Sequence, residues 1–395
     1  MDVTETGAIR YKDRVNLRPI GWVFVLFGLF WGSWAVAAVD VERALRLTTG
    51  GFGALLSLAL AGAASANAVG GTLCERFGTG TVLGTSLLSW AVLLTVGASV
   101  RAPVLLGLLI IAMLANGGLI DVAINVAATV ALGHTPGRLV AFHARFNGGA
   151  AAGAALTGLL LATGASWRWM WVGVAVVALG LAVVCLRVPL PAGETGDRVP
   201  FGGAFSLLRR ERLLVLAGAF ALAAMVEGGI ELWGVFYLRT HLSSGLLIGA
   251  GGAVLGYAIA AVARYALGPS VGRKGTARGV LIGAGTAALG VVILATSGTA
   301  VIAAGGLVLA AGGISMCWPL LVAQAGTGRS RAGAVVGAVS AVGYLGMVIG
   351  PAVVGWVAEA VGLRAALGVL AAGALVVAVV PTTSSSFASN PPPPA

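Results

Sequence analysis

Twelve apolar runs, each long enough to cross a lipid bilayer as a helix, follow one another along this chain of 395 residues. A helix needs about 20 mostly apolar residues to cross the hydrocarbon core. The composition, 58% hydrophobic and only 9% charged, excludes a soluble globular protein. We therefore expect an all-α polytopic membrane protein. The runs cover residues 19–40, 50–73, 80–100, 103–130, 139–163, 167–187, 213–238, 245–267, 277–297, 299–325, 331–358 and 362–381.

The longest connection between runs divides them into two sets of six. Residues 188–212 are charged and contain prolines, and they form the expected cytoplasmic linker between a bundle at 19–187 and a second bundle at 213–381. Residues 1–18 are polar and basic and are expected to be a cytoplasmic N-terminal segment. The low-complexity tail, 382–395, reads TTSSSFASNPPPPA from its first threonine and is predicted to be disordered.

The basic residues between the runs give the expected orientation, because Lys and Arg are enriched in cytoplasmic connections. With the N-terminus in the cytoplasm, 17 basic residues fall on the inner side and 6 on the outer side. Both termini are therefore expected to be cytoplasmic. The net charge of +11 is spread between the runs and forms no basic domain, so we expect no nucleic-acid partner.

Several chemistries leave no signal in the sequence. Cys74, Cys185 and Cys317 lie far apart and lack the spacing of a disulfide framework or a zinc site. The enzyme patterns H-E-x-x-H and G-x-S-x-G are missing, as is the phosphate-binding G-x-x-x-x-G-K-[ST] of ATP-driven proteins. We expect no enzyme activity, metal or cofactor, and we expect an ion gradient to supply energy. A membrane receptor without transport activity is a remote alternative, since no large extramembrane domain is visible.

The two sets of runs carry signs of duplication. Three glycines of the fifth run recur in the eleventh at a constant offset of 197 residues, and an arginine after each set recurs at an offset of 196. Glycine stripes let helix backbones pack closely. Duplicated six-helix halves with polar groups near the midplane are typical of transporters that rock between two states. The matched residues are Gly149, Gly153, Gly158 and Arg168 in the first half and Gly346, Gly350, Gly355 and Arg364 in the second.

Polar and ionisable side chains in the fourth and fifth runs mark a candidate site. Asp121 and Asn125 share one helix face, as do His143 and Asn147. Arg145 lies about 200° around the helix from His143. Because a carboxylate at bilayer depth costs at least about 2.5 kcal/mol, Asp121 needs a partner. We expect Arg145, also a candidate for binding substrate, to neutralise Asp121, while Asn125, His143 and Asn147 line the substrate path.

The seventh run carries two further carboxylates. Glu227 lies close to mid-bilayer and shares a helix face with Glu231. Two carboxylates this close and partly desolvated can bind and release protons near neutral pH. With Asp121 they are the candidates for proton coupling. Tryptophan can wall a substrate cavity, although near helix ends it is also typical of the membrane interface. The candidate wall residues are Trp31, Trp34 and Trp233.

The connection after the second run, GTLCERFG, resembles the signature G-x-L-x-D-R-x-G of the major facilitator superfamily, with Glu in place of Asp. A looser copy, RYALGPSVGRK, follows the eighth run. The resemblance implies a charge-dependent latch on the cytoplasmic side that controls alternating access. The implied latch residues are Gly71, Glu75, Arg76 and Gly78 in the first loop and Arg264, Gly272 and Arg273 in the second.

Three more stretches are similar to a bacterial branch of that superfamily that includes rhizopine-transport-like inner-membrane carriers. They are NGGLIDVAINV, the pair Phe142–His143, and EGGIELW at 227–233. The resemblance covers nearly the whole chain. It implies the major facilitator fold of two pseudo-symmetric six-helix halves and a location in the inner (plasma) membrane.

These observations favour a monomeric, proton-coupled secondary transporter of a small organic molecule, embedded in the lipid bilayer. Export of a metabolite or drug by antiport is the preferred mode, because apolar and aromatic residues dominate the expected cavity. Uptake of a sugar or cyclitol by proton symport, which the bacterial branch implies, is the alternative. Such a site needs many hydrogen-bonding side chains, and most of the supply here is Asn116, Asn125, Asn147 and Gln324.

Overall fold

The computed structural model describes residues 17–132, 136–191, 201–242, 244–267, 276–326 and 332–383. Within these ranges the chain is helical and contains no strand. The helices are α1 (Arg18–Leu45), α2 (Thr49–Phe77), α3 (Thr79–Ser99), α4 (Pro103–Leu132), α5 (Pro136–Ala162), α6 (Arg168–Arg187), α7 (Phe201–Arg210), α8 (Leu214–Gly229), α9 (Val235–Thr240), α10 (Leu246–Leu267), α11 (Thr276–Thr296), α12 (Ala300–Ile314), α13 (Cys317–Gly326), α14 (Ala332–Val361) and α15 (Leu363–Thr383). A π-helical turn, Ile230–Gly234, joins α8 to α9.

These helices make twelve crossings in the described ranges, and two of the crossings are broken. The seventh consists of α8, the π-helical turn and α9, and the tenth consists of α12 and α13. Eleven crossings are long and apolar enough to span a membrane. The remaining one, α5, has sufficient length at 27 residues but carries Arg138, His143, Arg145 and Asn147. It packs between α1 and α10, so neighbouring helices cover much of its surface.

Prolines and glycines explain where several helices begin and end. Pro103 and Pro136 occupy the first positions of α4 and α5, where a missing N–H costs nothing. Three connections turn through a glycine with positive φ: Gly78 at 84°, Gly164 at 78° and Gly362 at 94°. A residue with a Cβ would be strained in this conformation. The glycines therefore allow α3, α6 and α15 to follow closely on the helices before them.

The helix packing repeats between the halves as the sequence does. In the first half, Gly149 of α5 lies against the backbone carbonyl of Val25 in α1. In the second half, Gly346 of α14 lies against the carbonyl of Ala221 in α8. A Cβ on either glycine would collide with the opposing backbone, so both contacts depend on glycine. The predicted pair of six-helix halves is thus confirmed. The first half consists of α1–α6, and the second consists of the six crossings formed by α8–α15.

The two arginines of the repeat close equivalent helix ends. Arg168 donates a hydrogen bond from Nη1 to the carbonyl of Ala98 at the end of α3 (3.2 Å). Arg364 instead donates to the hydroxyl of Tyr237 (3.2 Å), which donates to the carbonyl of Ala295 at the end of α11 (3.2 Å). Arg168 directly, and Arg364 through Tyr237, thus serve carbonyls at a helix terminus, where a positive charge is also favourable.

The halves meet where α2 packs against α14 and α5 against α10. We name the end of the molecule that carries the α1–α2 turn the α1–α2 face. At this face, charged groups link the two halves. Glu359 of α14 accepts hydrogen bonds from the hydroxyl of Thr48 and the N–H of Gly50, both 2.9 Å, at the start of α2. Arg239 of α9 pairs with Asp40 of α1 at 2.8 Å.

Aromatic side chains also pack at this face. Trp34 of α1 stacks on Trp171 with an interplanar angle of 8°, and Phe52 of α2 contacts Trp233 of the other half at 6.4 Å between centroids. Trp34 and Trp233 are only 3% and 0% exposed. The prediction that these two tryptophans wall an open cavity is therefore wrong for this conformation, because both are packed between helices. Together with the charged contacts they close the α1–α2 face.

We predict that breaking the Arg239–Asp40 pair opens the α1–α2 face. Ser57 lies in the α2–α14 contact, where its hydroxyl accepts the N–H of Ala352, so Ser57→Cys reports on opening. In purified Ser57→Cys protein, Arg239→Gln should speed thiol labelling by about ten-fold, equivalent to losing about 1.4 kcal/mol from a partly buried charged bond. The native cysteines are buried and give a low background.

The matched control is Arg43→Gln. Arg43 also approaches Asp40, at 3.8 Å, but it lies on the same helix and its side chain is 68% exposed. An exposed pair within one helix contributes little, so this change should leave the labelling rate unaltered. Equal rates in the Arg239→Gln and Arg43→Gln proteins would show that the cross-half pair does not hold the face closed.

Candidate functional site

Asp121 lies in a polar network that joins the two halves at mid-depth. Its Oδ1 accepts a hydrogen bond from Asn125 Nδ2, one turn along α4 (2.9 Å). Its Oδ2 accepts from Asn67 Nδ2 of α2 (2.9 Å) and from the hydroxyl of Tyr344 of α14 (3.2 Å). Three neutral donors therefore satisfy the carboxylate, and one of them comes from the opposite half.

Arg145 is not the partner of Asp121, and that prediction is wrong. Its side chain is exposed, and its guanidinium lies over the ring of Phe142 at 4.8 Å and beside Gly21 of α1. The reason is the packing of α5. Arg145 lies on the same stripe as Gly149, and this stripe faces α1 rather than α4. Arg145 thus lies in the groove between α1 and α5, and this position does not support the prediction that it binds substrate.

A second mid-depth network is centred on Arg264 of α10. Its guanidinium forms a salt bridge with Glu227 of α8, and the two side chains are 14% and 15% exposed. It also donates to Asn147 Oδ1 of α5 in the other half (2.9 Å) and to the carbonyl of Ser315 (3.1 Å). One cation thus connects α10 to α8, to α5 and to the tenth crossing, and it bridges the halves.

Arg264 was expected in the cytoplasmic latch, and the structure corrects this. It lies in the last turn of α10, and side chains on a helix lean towards its N-terminus. For α10 that direction points back towards the middle of the bundle, so the long side chain reaches Glu227. The sequence motif thus identified the end of α10 correctly, but it did not predict that the side chain of Arg264 points into the bundle.

The two networks occupy equivalent positions in the two halves. Arg264 follows Asn67 by 197 residues, and Tyr344 follows Asn147 by 197 residues. In each half, the second helix of the repeat thus supplies a donor to a carboxylate, and the fifth helix supplies a contact to the other half. Sequence reasoning missed Tyr344 and the central role of Arg264, because the paired residues differ in type. Applying the glycine offset to all polar residues would have found both.

Glu231 lies one turn beyond Glu227, on the π-helical turn of the seventh crossing. Both carboxylates line a narrow pocket between this crossing, α10 and α12, to which Tyr257 and Leu307 also contribute. Among the side chains that the structure places, none is a hydrogen-bond or ion-pair partner of Glu231. π-Helical turns are uncommon and frequently occur at functional sites. Glu227 and Glu231 therefore share one face as expected, but only the carboxylate of Glu227 is bonded, to Arg264.

Three other predicted site residues, His143, Asn147 and Trp31, are buried or partly buried in the bundle. His143 is partly buried, packs edge-on against Phe24 at 5.1 Å, and lies within electrostatic reach of Arg264. Asn147 is 1% exposed, and its Nδ2 has no hydrogen-bond partner. Trp31 is partly buried and contacts Phe30 edge-on at 5.7 Å. Asn147 therefore belongs to the Arg264 network, and His143 lies next to it.

The first predicted latch loop forms the end of α2. Gly71 is buried, Glu75 is partly buried and engaged, and Arg76 is exposed with its guanidinium 5.2 Å from the ring centre of Phe77. Gly78 ends the helix. Gly272 and Arg273 lie outside the described residues. The latch function of these residues stays a prediction.

A family model described as Major Facilitator Superfamily matches residues 20–351, which is most of the chain. The chain belongs to this superfamily. It is accordingly a multi-pass membrane protein with the fold of small-solute transporters. No curated protein matches it in sequence. The resemblance to the rhizopine-transport-like branch stays a prediction.

Several solved structures share the fold at low sequence identity. The nucleoside transporter NupG aligns with a TM-score of 0.71 and 16% identity over 94% of this chain and 99% of that one. A bacterial homolog of the human lysosomal transporter Spinster gives 0.69 and 15% over 95% and 98%. The human organic anion transporter MFSD10 (TETRAN) gives 0.66 and 17% over 92% and 99%. Identities this low establish the architecture of this superfamily member and leave its substrate open.

The Asp121–Tyr344 bond predicts energetic coupling across the halves. In a double-mutant cycle on the free energy of unfolding, Asp121→Asn and Tyr344→Phe should show a coupling of about 1 kcal/mol, the value of a charged hydrogen bond at this depth. Denaturation in mixed detergent micelles provides the measurement. The comparison cycle pairs Asp121→Asn with Arg145→Leu, which should be additive. Coupling to Arg145 and none to Tyr344 would reverse the assignment.

The Glu227–Arg264 salt bridge predicts a larger effect. Arg264→Leu leaves Glu227 buried and unpaired, which should lower the free energy of unfolding by about 3 kcal/mol. Replacing both residues with Leu should restore most of the loss, because the buried charge of Glu227 is then removed together with its partner. The same denaturation assay measures this. A double variant as unstable as Arg264→Leu alone would show that the salt bridge is not what the fold requires at this position.

Proposed function

We propose that this protein is a proton-coupled secondary transporter that exports a small organic molecule by antiport. The observation that carries the proposal is the arrangement of Glu227, Glu231 and Arg264: one cation bonded to the first carboxylate, with a second carboxylate unbonded one helical turn away. Two carboxylates beside one guanidinium allow two arrangements, in which the guanidinium bonds to one carboxylate while a proton neutralises the other.

The exchange of a proton can change the partner of Arg264. The charges of Glu227 and Arg264 both act on Glu231. When a proton neutralises Glu227, the salt bridge weakens, and Glu231 becomes the stronger attraction for the guanidinium. Since Arg264 also holds Asn147 of the other half, a change of partner alters a contact between the halves. Proton binding is thereby linked to the relative stability of the two access states.

Asp121 supports the same coupling from the first half. Its bond to the hydroxyl of Tyr344 is the equivalent contact in the pseudo-symmetric half. An ionised carboxylate accepts this hydrogen bond more strongly than a protonated one. Protonation of Asp121 would therefore weaken the second contact between the halves at mid-depth.

For orientation, we propose that both termini are cytoplasmic in the bacterial inner membrane. The distribution of basic residues then places the α1–α2 face outside. Glu359, Arg239 and the aromatic contacts close this face. The conformation described here accordingly corresponds to the state with the outer side shut, and the region around Arg264 lies on the path from the cytoplasm.

Export of an apolar or amphipathic compound fits the supply of polar groups better than sugar uptake. Asn67 and Asn125 are both occupied by Asp121, and Asn116 bonds to the hydroxyl of Ser89 (2.6 Å). Few side-chain donors are left for a hydroxyl-rich solute. Proton symport of a sugar-like solute is the second candidate, because a D-xylose–proton symporter shares the fold with a TM-score of 0.67 at 18% identity.

Proton coupling predicts that an imposed pH gradient drives substrate flux in proteoliposomes. Glu231→Gln and Glu227→Gln should each abolish the response to the gradient, because each removes one of the two exchangeable sites. The control is Glu42→Gln, which alters a partly buried carboxylate bonded to Thr49 near the α1–α2 face and should transport normally. Flux that follows a sodium gradient and ignores pH would contradict the proposal.

Direction is tested by comparing deletion and overexpressing strains. Growth in the presence of a panel of toxic compounds is set against growth on a panel of carbon sources. Export predicts that overexpression raises resistance to some compounds and that deletion changes no nutritional phenotype. The opposite pattern would favour the uptake of a sugar-like solute.

A further inference from the structure

Arg145 is an exposed cation on the side of α5 that faces lipid. With Arg138, Ala152 and Leu159 it forms a stripe of exposed side chains, each seven residues, or about two helical turns, from the next. Leu159 is 66% exposed although it lies near the closed α1–α2 face. This side of α5 therefore borders lipid and not a water-filled cavity between the halves. The stripe is basic at one end and apolar at the other.

The packing of α5 on α1 fixes the depth of Arg145. The two helices run parallel, with Arg145 beside Gly21 and Gly149 beside Val25. Gly21 is close to Arg18, where α1 begins. The guanidinium therefore lies at the membrane boundary opposite the α1–α2 face, and α5 begins about two and a half turns beyond it.

Trp22 lies at the same depth on the neighbouring helix. It follows Gly21 in α1, and the residue is 63% exposed. Because α1 and α5 are parallel, a helical wheel places Trp22 and Arg145 on the same side of the pair. Tryptophan is enriched where the hydrocarbon core meets the headgroups. The groove between α1 and α5 is thus open to lipid at headgroup depth, with an indole on α1 and a guanidinium on α5.

The charge of Arg145 is not neutralised by a side chain of the described residues. Its contact there is with the ring of Phe142 at 4.8 Å, and it forms no ion pair. Neither α5 nor residues 18–39 of α1 contain an acidic residue. Arg138 adds a second positive charge about 10 Å further along the stripe. A guanidinium binds a phosphate through paired hydrogen bonds. Charge complementarity therefore favours an anionic group in this groove.

We propose that this groove binds the headgroup of an anionic phospholipid from the leaflet opposite the α1–α2 face. Arg145 binds the phosphate, and Trp22 packs beside the upper part of the acyl chains. The apolar part of the stripe, Ala152 to Leu159, gives the chains a surface to follow. Basic sites between helices at a membrane boundary are suited to anionic headgroups. The site is independent of the direction of transport and of the coupling ion.

Other occupants fit this groove less well. A transported solute would be held near Asn147 and Arg264, but Asn147 lies about 160° around α5 from Arg145 and faces α10. Free inorganic phosphate shares the chemistry of the headgroup but makes no use of the indole or of the apolar stripe. A lipid satisfies the cation and the exposed apolar surface together.

The test compares dioleoylphosphatidylglycerol with dioleoylphosphatidylcholine, which carry the same chains and differ in the net charge of the headgroup. Native mass spectrometry measures the affinity of the delipidated full-length protein for the first lipid molecule. The wild type should bind the anionic lipid more tightly. Arg145→Gln should weaken this binding about five-fold, the effect of one basic residue at an anionic lipid surface. Arg145→Lys, which keeps the charge but not the paired donors, should have an intermediate affinity.

The matched control is Arg278→Gln. Arg278 is exposed in the first turn of α11, at the same end of the molecule. The change removes an equal charge outside the groove and should leave the affinity for the first anionic lipid unaltered.

Tryptophan fluorescence locates the bound lipid. Phospholipids with bromine atoms in the upper part of their chains quench the tryptophans that they touch, and the part of the quenching lost in Trp22→Phe belongs to Trp22. In nanodiscs, the quenching of Trp22 should saturate at a lower fraction of brominated phosphatidylglycerol than of brominated phosphatidylcholine. Arg145→Gln should remove this difference.

Equal affinity of the wild type for the two lipids, or unchanged affinity for phosphatidylglycerol in a folded Arg145→Gln protein, would overturn the proposal. Displacement of phosphatidylglycerol by inorganic phosphate alone would show an anion site that does not select lipid, and would also overturn it. If Arg145→Gln is poorly folded, the wild-type protein decides, because equal quenching of Trp22 by the two brominated lipids contradicts the proposed site.

Discussion

An ionised side chain inside a bilayer has to be compensated by another group of the protein, and the centre of this molecule is arranged around that requirement. Asp121 is compensated by three neutral donors and Glu227 by Arg264. In both cases part of the network comes from the other half. The groups that make the carboxylates tolerable are therefore also the groups that hold the halves together, so a change of charge at either carboxylate alters the contact between the halves.

Close helix packing makes these long-range contacts possible. Gly149 and Gly346 bring α5 onto α1 and α14 onto α8, with a backbone carbonyl where a side chain would otherwise lie. The fifth helix of each half is thereby fixed with Asn147 or Tyr344 facing the opposite half. Apolar burial gives little preference between helix arrangements within lipid, whereas small residues and specific hydrogen bonds do. Glycine placement thus determines which polar side chains meet.

The crossings, the duplication and the depth of Asp121 and Glu227 followed from the sequence, because apolar run length and glycine spacing are local properties. The hydrogen-bond and ion-pair partners of these side chains could not be predicted from the sequence. A helical wheel places Arg145 and His143 on opposite faces, but it does not identify the helix that each face meets. Arg145 was assigned to Asp121 on charge alone, while the observed donor Tyr344 is 223 residues away. Arg264 was read as a loop residue because its backbone lies near a helix end, although its side chain reaches well inside.

The π-helical turn has a consequence for how the halves diverged. Before this turn, equivalent positions such as Val25 and Ala221 are 196 residues apart, and after it pairs such as Asn67 and Arg264 are 197 apart. A π-helical turn accommodates one more residue than an α-helical turn. The second half therefore has one additional residue in the stretch that contains Glu231. The equivalent stretch of the first half, residues 31–35, contains no acidic residue, so the pair of carboxylates in the pocket belongs to the second half alone.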